Sequence, residues 1–224
     1  MSPESQVTST PDNSAEEGIA RLILEVRQAG VTDSRILAAM ESVPRHLFVP
    51  KTFRAKTYDD VALPIGRHQT VSQPSVVGRM TQALEVGDRM KVLEVGTGSG
   101  YQAAILAKLC RRLYTVERHP PLLEEAEARF HELRLTNVTS ILGDGSRGWP
   151  EQAPFERIML TAAALDIPAQ LVDQLAPGGI MVLPVGLDDK DQRLIRLKKL
   201  EDGAETDDLG PVRFVPLLPG VEIE

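Results

Sequence analysis

The sequence predicts an α/β fold, in which a doubly wound, mostly parallel sheet has helices on both faces and antiparallel strands at its C-terminal end. The main observation is a series of short apolar runs that alternate with helical stretches: 91–95, 112–116, 138–142, 155–160 and 179–185. Runs that are apolar throughout are typical of strands buried on both faces of a parallel sheet. A second observation is that two extended segments follow, 192–199 and 211–217, which we interpret as antiparallel edge strands joined through the polar stretch 201–210.

The helical stretches between these runs are expected to cover the two faces of the sheet. They lie at about 99–110, 120–134 and 167–176. Strands that alternate with helices in this way form parallel units joined by crossover connections.

The domain prediction is a disordered tail, residues 1–15, followed by one domain, residues 16–224. The tail is rich in Ser, Thr and Pro and has almost no apolar side chains, so burial cannot offset the entropy of ordering it. Within the domain we separate N-terminal helices and a loop, 16–88, from the sheet and C-terminal strands, 89–224. A long loop at 44–74 is predicted to be functional, because irregular segments of this length in compact domains usually are.

Helix signals surround this loop. Ser14 and Glu17 have capping-box spacing before an apolar helical pattern that stops at Gly30. A second helix is predicted to begin near Thr32 or Asp33 and to end at Pro44, and a third begins after the segment 72–74. The adjacent Asp59 and Asp60 are interpreted as loop or capping residues, since neighbouring side chains commonly point apart.

Composition excludes several classes of function. The 224 residues have a formal net charge of −7 and only 4% aromatic side chains, which disfavours nucleic acid as a partner, because such binding depends on Lys, Arg and stacking platforms. A single cysteine, Cys110, allows no intrachain disulfide and no cysteine-based zinc cage, and four scattered histidines suggest no metal site. No signal peptide and no apolar run of membrane-spanning length is apparent. We therefore expect a cytoplasmic protein without membrane or nucleic-acid partners. A monomer is also expected, although no feature of the composition determines the oligomeric state.

The sharpest motif is VLEVGTGSGY at 92–101, a strand that runs into Gly96, Gly98 and Gly100 before a helix begins. Glycines in such a turn let a ligand approach backbone that side chains would otherwise block. A dinucleotide fingerprint would place its third glycine at 101, where Tyr101 stands. A purely structural strand-to-helix turn is the alternative for these glycines.

Two carboxylates follow the next two strands. Glu117 lies 21 residues after Gly96, where an acidic side chain can accept hydrogen bonds from the hydroxyls of a ribose. Asp144 lies between Gly143 and Gly145 after the third strand of the series. The alternatives are a solvated loop charge and a turn residue. Since ligands bind at the carboxyl ends of strands in open α/β sheets, all three positions together indicate one binding site.

These motifs, with LAPGGIMVLPVG at 175–186, resemble the successive motifs of class I S-adenosylmethionine-dependent methyltransferases. Within that superfamily, YDDVALPIGRHQTVSQP at 58–74, APFERIMLTAA at 153–163 and VRFVPL at 212–217 resemble the protein-L-isoaspartate O-methyltransferase family. The likeness extends from about Ile19 to Leu218. One departure is that Arg67 and His68 precede Gln69, where the family usually has a glycine.

The resemblance implies S-adenosylmethionine as cofactor. By this likeness the loop with Gly96, Gly98 and Gly100 faces the methionine part of the cofactor. Glu117 then holds the ribose, and Asp144, with Gly145 beside it, holds the adenine amino group.

The resemblance also implies where the methyl group is transferred. Ser72, with Thr70 and Val71, would line the place where methyl donor and acceptor meet, and Ser72 would be the catalytic residue. The alternative for Ser72 is a helix N-cap, for which serine is well suited.

The implied reaction is methyl transfer to the free α-carboxylate of L-isoaspartyl residues in damaged proteins and peptides, which starts their repair through a succinimide. Such a carboxylate, with a pKa of about 3.5, is ionised at neutral pH, so the reaction needs no general base. Two alternatives remain at this point: a methyltransferase for a small molecule or nucleic acid, and a non-catalytic nucleotide-binding protein.

Overall fold

The fold centres on a seven-stranded sheet whose strand order is β5-β4-β3-β6-β7-β8-β9. The computed structural model describes residues 13–186 and 191–222. The sheet strands are β3 (Lys91–Val95), β4 (Arg112–Glu117), β5 (Val138–Leu142), β6 (Phe155–Leu160), β7 (Leu175–Val185), β8 (Arg193–Leu200) and β9 (Gly203–Pro211). The pairs from β5 to β7 are parallel, whereas β8 and β9 are added antiparallel. The predicted doubly wound fold with antiparallel C-terminal strands is confirmed.

Six α-helices and a small hairpin complete the described part of the chain. The helices are α1 (Asn13–Gln28), α2 (Ser34–Ser42), α3 (Pro74–Ala83), α4 (Tyr101–Ala107), α5 (Pro120–Glu132) and α6 (Ala169–Asp173). The hairpin strands are β1 (Leu63–Gly66) and β2 (Gln69–Val71). None of the described helices combines the length and the apolar character that a membrane span requires.

Two hydrophobic cores lie on opposite faces of the sheet. Successive residues of one strand alternate between them, as strand geometry requires: Val92 packs with the N-terminal helices, and Leu93 packs on the other face with Leu171 of α6. Both faces are therefore apolar, which explains the continuous apolar runs in the sequence.

The strand order places a crevice beside β3. The chain runs outward from β3 through β4 to β5 and then returns to the other side of β3 with β6. Connections therefore leave the carboxyl ends of β3 and β6 in opposite directions, and open α/β sheets bind ligands at such switch points.

The segment 44–74 is more ordered than the sequence predicts. It contains two 3-10 turns, Arg45–Leu47 and Lys51–Lys56, and the β1–β2 hairpin. Such short elements have no periodicity long enough to be recognised in the sequence.

The prediction for the last strand was wrong. The final strand is Gly203–Pro211, in the stretch expected to be a connection, whereas 212–217 contributes only an isolated bridge between Pro216 and Ala163. The acidic sequence of β9 has no apolar pattern that would predict a strand. This edge strand is held instead by backbone pairing and by cross-strand ion pairs such as Arg193–Asp208, at 2.9 Å. An exposed edge strand needs no apolar alternation.

The N-terminal boundary also differs. Helix α1 begins at Asn13, before the predicted cap at Ser14 and inside the predicted tail. Residues 1–12 of that tail lie outside the described residues. The predicted start of the second helix is confirmed, because the Asp33 side chain accepts a hydrogen bond from the Arg35 amide at 2.9 Å.

Candidate functional site

A cavity of about 610 Å³ lies at the carboxyl ends of β3 and β4. Its walls come from the β1–β2 hairpin, the start of α3, the glycine loop 96–100 and the segment 211–218. The site residues predicted from the sequence that line it are Thr70, Val71, Ser72, Gly96, Gly98, Glu117 and Gly145. Gly100 and Asp144 are not among the residues lining it. The structure thus brings most of the predicted residues to one cavity.

At two positions that line the cavity, the glycine loop has a positive φ, which favours glycine. Gly96 and Gly98 have φ values of 96° and 53°, in the left-handed region. A Cβ on Gly96 would overlap the hydroxyl of Thr161, whose single proton is shared between the carbonyls of Val95 and Gly96. A Cβ on Gly98 would meet only Ile65, at 3.6 Å. The backbone at Gly98 is therefore open on its cavity side.

Gly100 has a different part in the loop. It is the N-cap of α4, and a Cβ there would lie 2.8 Å from the ring of Phe130. Its small size allows close packing of α4 against α5 and does not open the cavity.

Glu117 is fixed by backbone amides on both sides. Oε2 accepts a hydrogen bond from Gly98 at 2.7 Å, and Oε1 accepts from Arg118 at 2.9 Å and from His119 at 3.0 Å. The residue is only 4% exposed and lines the cavity. Since a carboxylate has about four lone-pair sites, acceptor capacity remains on Oε2. Glu117 therefore holds the glycine loop in place and still has an oxygen available to a ligand.

Glu94 lies beneath the glycine loop and was not singled out from the sequence. It is fully buried and accepts a hydrogen bond from Thr115 at 2.6 Å, and the Thr115 hydroxyl lies 2.6 Å from that of Thr97. Burial raises the pKa of Glu94 to about 8, and the negative charge of Glu117 adds to this. A charged residue inside the apolar run 91–95 was the signal available in the sequence, because such residues are almost never fully buried.

Ser72 faces the cavity from the residue after β2. Its hydroxyl has no hydrogen bond to any described residue, while its carbonyl accepts one from Arg45 at 3.0 Å. Ser72 is not a helix cap, because the N-cap of α3 is Gln73. Asp60 takes the capping role instead: it accepts hydrogen bonds from the Ser75 amide at 2.7 Å and from the Gln73 amide group at 2.9 Å. The Ser72 hydroxyl is thus available to a ligand.

The hairpin beside Ser72 shows how the departure at Arg67 and His68 is accommodated. These two residues form the turn between β1 and β2 and have φ values of 49° and 56°. Positive φ at both central residues is the geometry of a tight two-residue turn, which usually contains Asn or Gly. The exposed side chains of both residues line the cavity at its hairpin side.

Asp144 forms a turn at the end of β5. Its Oδ1 accepts hydrogen bonds from the Ser146 amide at 3.0 Å and from the Ser146 hydroxyl at 2.6 Å. Burial tends to raise the pKa of Asp144, but these bonds and the Gly220 amide outweigh it, so the pKa lies below its usual range. The adjacent Gly145 lines the cavity, and a Cβ there would overlap Val95.

The C-terminal segment forms the remaining wall. Gln192 fixes Phe214, since its side chain accepts from the Phe214 amide at 2.6 Å and donates to the Phe214 carbonyl at 3.0 Å. Further along, the Glu222 carboxylate lies 3.2 Å from Arg118 and 3.0 Å from His119. The segment that we predicted as an edge strand therefore covers the cavity instead.

Comparison with known proteins identifies the chain's relatives. Residues 17–222 match the family described as protein-L-isoaspartate(D-aspartate) O-methyltransferase. The protein-L-isoaspartate O-methyltransferase of Paramagnetospirillum magneticum is 63% identical over 211 residues, which cover 94% of this chain and 99% of that protein. That of Parvibaculum lavamentivorans is 52% identical over 217 residues, covering 96% and 98%.

Solved structures give the same result for the fold. A protein-L-isoaspartate O-methyltransferase structure superposes with a TM-score of 0.80 at 26% identity, covering 88% of this chain and 65% of that chain. A putative protein-L-isoaspartate O-methyltransferase from Plasmodium falciparum, in complex with S-adenosyl-L-homocysteine, has a TM-score of 0.75 at 23% identity, covering 88% and 97%.

Proposed function

Because the chain belongs to the protein-L-isoaspartate(D-aspartate) O-methyltransferase family, we propose that its cavity holds both partners of methyl transfer to isoaspartyl residues. The cofactor, S-adenosylmethionine, lies along the glycine loop and Glu117, and the isoaspartyl peptide lies between the hairpin and the segment 211–217. The observation that carries this arrangement is that Gly98, Glu117 and Ser72 line the same cavity.

The cavity residues fit the cofactor. The backbone at Gly98 is open to a ligand, and Oε2 of Glu117 retains acceptor capacity for a ribose hydroxyl. Gly145 provides a wall without a side chain beside Asp144, which supports an adenine subsite at that end. When bound, S-adenosylmethionine supplies an electrophilic methyl group on a sulfonium.

The acceptor side needs little catalytic machinery. An α-carboxylate with a pKa of about 3.5 is already anionic at neutral pH, so no side chain has to remove its proton. The Ser72 hydroxyl is available to donate a hydrogen bond to one carboxylate oxygen, and it would thereby orient the other oxygen toward the sulfonium methyl group that a bound cofactor would present. Correct positioning of two reactants alone is worth about 7–11 kcal/mol of the barrier. We assign Ser72 this positioning contact, with Thr70 and Val71 forming the wall beside it.

Geometry explains discrimination against normal aspartate. In an isoaspartyl residue the main chain runs through the β-carbon and the α-carboxylate is a side branch, whereas aspartate presents a β-carboxylate from an ordinary backbone. Both groups are anions of similar pKa, so charge cannot separate them. A peptide held extended between the hairpin and 211–217 presents only the branched α-carboxylate to the methyl group. The nitrogen of the amide on the β-carbonyl then attacks the ester carbonyl and expels methanol, which takes up the amide proton and leaves more easily than hydroxide. Hydrolysis of the resulting succinimide returns part of the residue to aspartate.

Paired synthetic peptides test this function. Labelled methyl transfer from S-adenosylmethionine is measured on two peptides that differ only in isoaspartate or aspartate at one position. We expect methylation of the isoaspartyl peptide alone, followed by slow methanol release and partial conversion to aspartate. Equal methylation of both peptides, or stable incorporation of methyl into RNA or DNA, would contradict the proposal.

We further propose that the enzyme is a cytoplasmic monomer that does not bind nucleic acid. The formal charge of −7 supports the last point. Carboxylates along the edge strand β9, at Glu205, Asp207 and Asp208, support the monomer because charges on an edge discourage pairing with another chain. Light scattering during size exclusion tests the assembly state, and a mass of twice the chain's 24.5 kDa would contradict it.

A further inference from the structure

A buried arginine connects the two halves of the cavity. Arg45 lies in the 3-10 turn after α2 and is 1% exposed. No carboxylate of the described residues forms an ion pair with it. Burying a cation is costly unless good geometry compensates, and apolar residues often replace buried ionic groups without loss of stability. The hydrogen bonds of Arg45 to the surrounding backbone therefore have to compensate for this burial.

The guanidinium donates hydrogen bonds to three backbone carbonyls of the loop before α3. Nε donates to Thr57 at 3.0 Å, and Nη2 donates to Val61 at 3.3 Å and to Ser72 at 3.0 Å. These carbonyls lie on either side of the β1–β2 hairpin. Arg45 thus holds both ends of the hairpin segment and the backbone of Ser72 itself.

The same guanidinium contacts the cofactor half of the cavity through Tyr101. Its Cζ lies 4.6 Å from the centre of the Tyr101 ring, and Phe48 packs on that ring at 5.5 Å between centroids. Tyr101 is the first residue of α4 and directly follows the glycine loop. It is 2% exposed, so its ring has little freedom to shift.

We propose that Arg45 is a positioning residue for methyl transfer, which sets the distance between Ser72 and the glycine loop by binding the Ser72 carbonyl and packing on Tyr101. This inference rests on the proposed function. Lysine cannot replace it, because a single ammonium group lacks the planar fork that reaches three carbonyls and stacks on a ring. Because Arg45 determines how methyl donor and acceptor are aligned, its replacement should lower kcat rather than cofactor affinity.

The test compares Arg45→Lys with a matched control, Arg157→Lys. Arg157 is another buried arginine that donates to backbone carbonyls, those of Glu85 at 3.1 Å and Glu156 at 2.7 Å, and it does not line the cavity. For both variants, active sites are counted by S-adenosylhomocysteine titration, and kcat and KM for an isoaspartyl peptide are measured well below the melting temperature.

For Arg45→Lys we expect kcat per titrated site to fall about 10- to 100-fold, since a misplacement of about 1 Å can cost this much. The affinity for S-adenosylhomocysteine should change less than about threefold. Arg157→Lys should lose stability and keep its kcat per site. Equal kcat per titrated site in the two variants would overturn the inference. Failure of the wild-type enzyme to methylate the isoaspartyl peptide would instead contradict the proposed function.

Hydrogen exchange gives a second test that does not depend on a folded variant. In the wild-type protein, amides in 57–73 should exchange far more slowly than those of an unstructured chain, before any peptide is added. Exchange in this segment at unstructured rates would overturn the inference, because Arg45 would then hold nothing in place.

Discussion

Replacing Glu117 by glutamine should weaken cofactor binding. The glutamine carbonyl can keep the hydrogen bonds from the amides of Arg118 and His119, at 2.9 and 3.0 Å in the native protein. Its NH₂ group must then face the Gly98 amide, which donates to Oε2 at 2.7 Å. Two donors are brought together, and the oxygen available to the ribose is lost.

The size of the effect follows from these contacts. A hydrogen bond to a charged acceptor is worth about 1.5–3 kcal/mol, so losing the one to the ribose lowers affinity for S-adenosylhomocysteine by about 10- to 150-fold. The Gly98 amide, which is only half-buried, also loses its acceptor, which costs about 1 kcal/mol of folding stability. Calorimetric titration measures the first quantity, and a denaturant melt measures the second.

A matched control is Glu156→Gln. Glu156 accepts a hydrogen bond from the Lys91 amide at 2.9 Å, at the amino end of β3, and does not line the cavity. Its replacement should reduce stability without changing the dissociation constant. A dissociation constant for Glu117→Gln within twofold of the control's would refute the assignment of Glu117 to the ribose.

Three further predictions concern other positions of the site. Ser72→Ala should lower kcat for the isoaspartyl peptide with little change in cofactor affinity or melting temperature, because Ser72 caps no helix; a large loss of melting temperature at unchanged kcat would contradict this. Gly98→Ala should weaken S-adenosylhomocysteine binding at least tenfold in a calorimetric titration and cost about 1–2 kcal/mol of stability from its φ of 53°; unchanged affinity would remove this glycine from the cofactor site. Burial holds the pKa of Glu94 at about 8, against 4.5 for the free side chain, so between these values the folded protein binds more protons than the unfolded chain and its stability falls as pH rises. In urea melts, the free energy of unfolding of Glu94→Gln should therefore rise relative to that of the wild type between pH 5 and pH 8. If the two free energies change in parallel with pH, Glu94 does not titrate in this range.

Several features of the site could be predicted because they are local in the chain. A strand and the glycine loop that follows it lie within ten consecutive residues, and Glu117 and Asp144 each lie just after an apolar run. Parallel strands bring their carboxyl ends to one edge of the sheet, so the glycine loop and Glu117 meet at the cavity, which Gly145 lines but its neighbour Asp144 does not. The antiparallel hairpin and the acidic strand β9 lacked such a signal, since one is very short and the other carries no apolar alternation.

The amino-acid sequence by itself determined the strand-and-helix alternation, the backbone freedom at Gly96 and Gly98, and the order of the binding motifs. Only the tertiary structure decided that Asp60 rather than Ser72 caps α3, that 212–217 crosses the cavity, and that Arg45 binds the carbonyl of Ser72. The reason is physical: side-chain periodicity records which face of an element is buried. Hydrogen bonds between residues 15 or 27 positions apart depend on how the chain folds back on itself, and no periodic pattern records that.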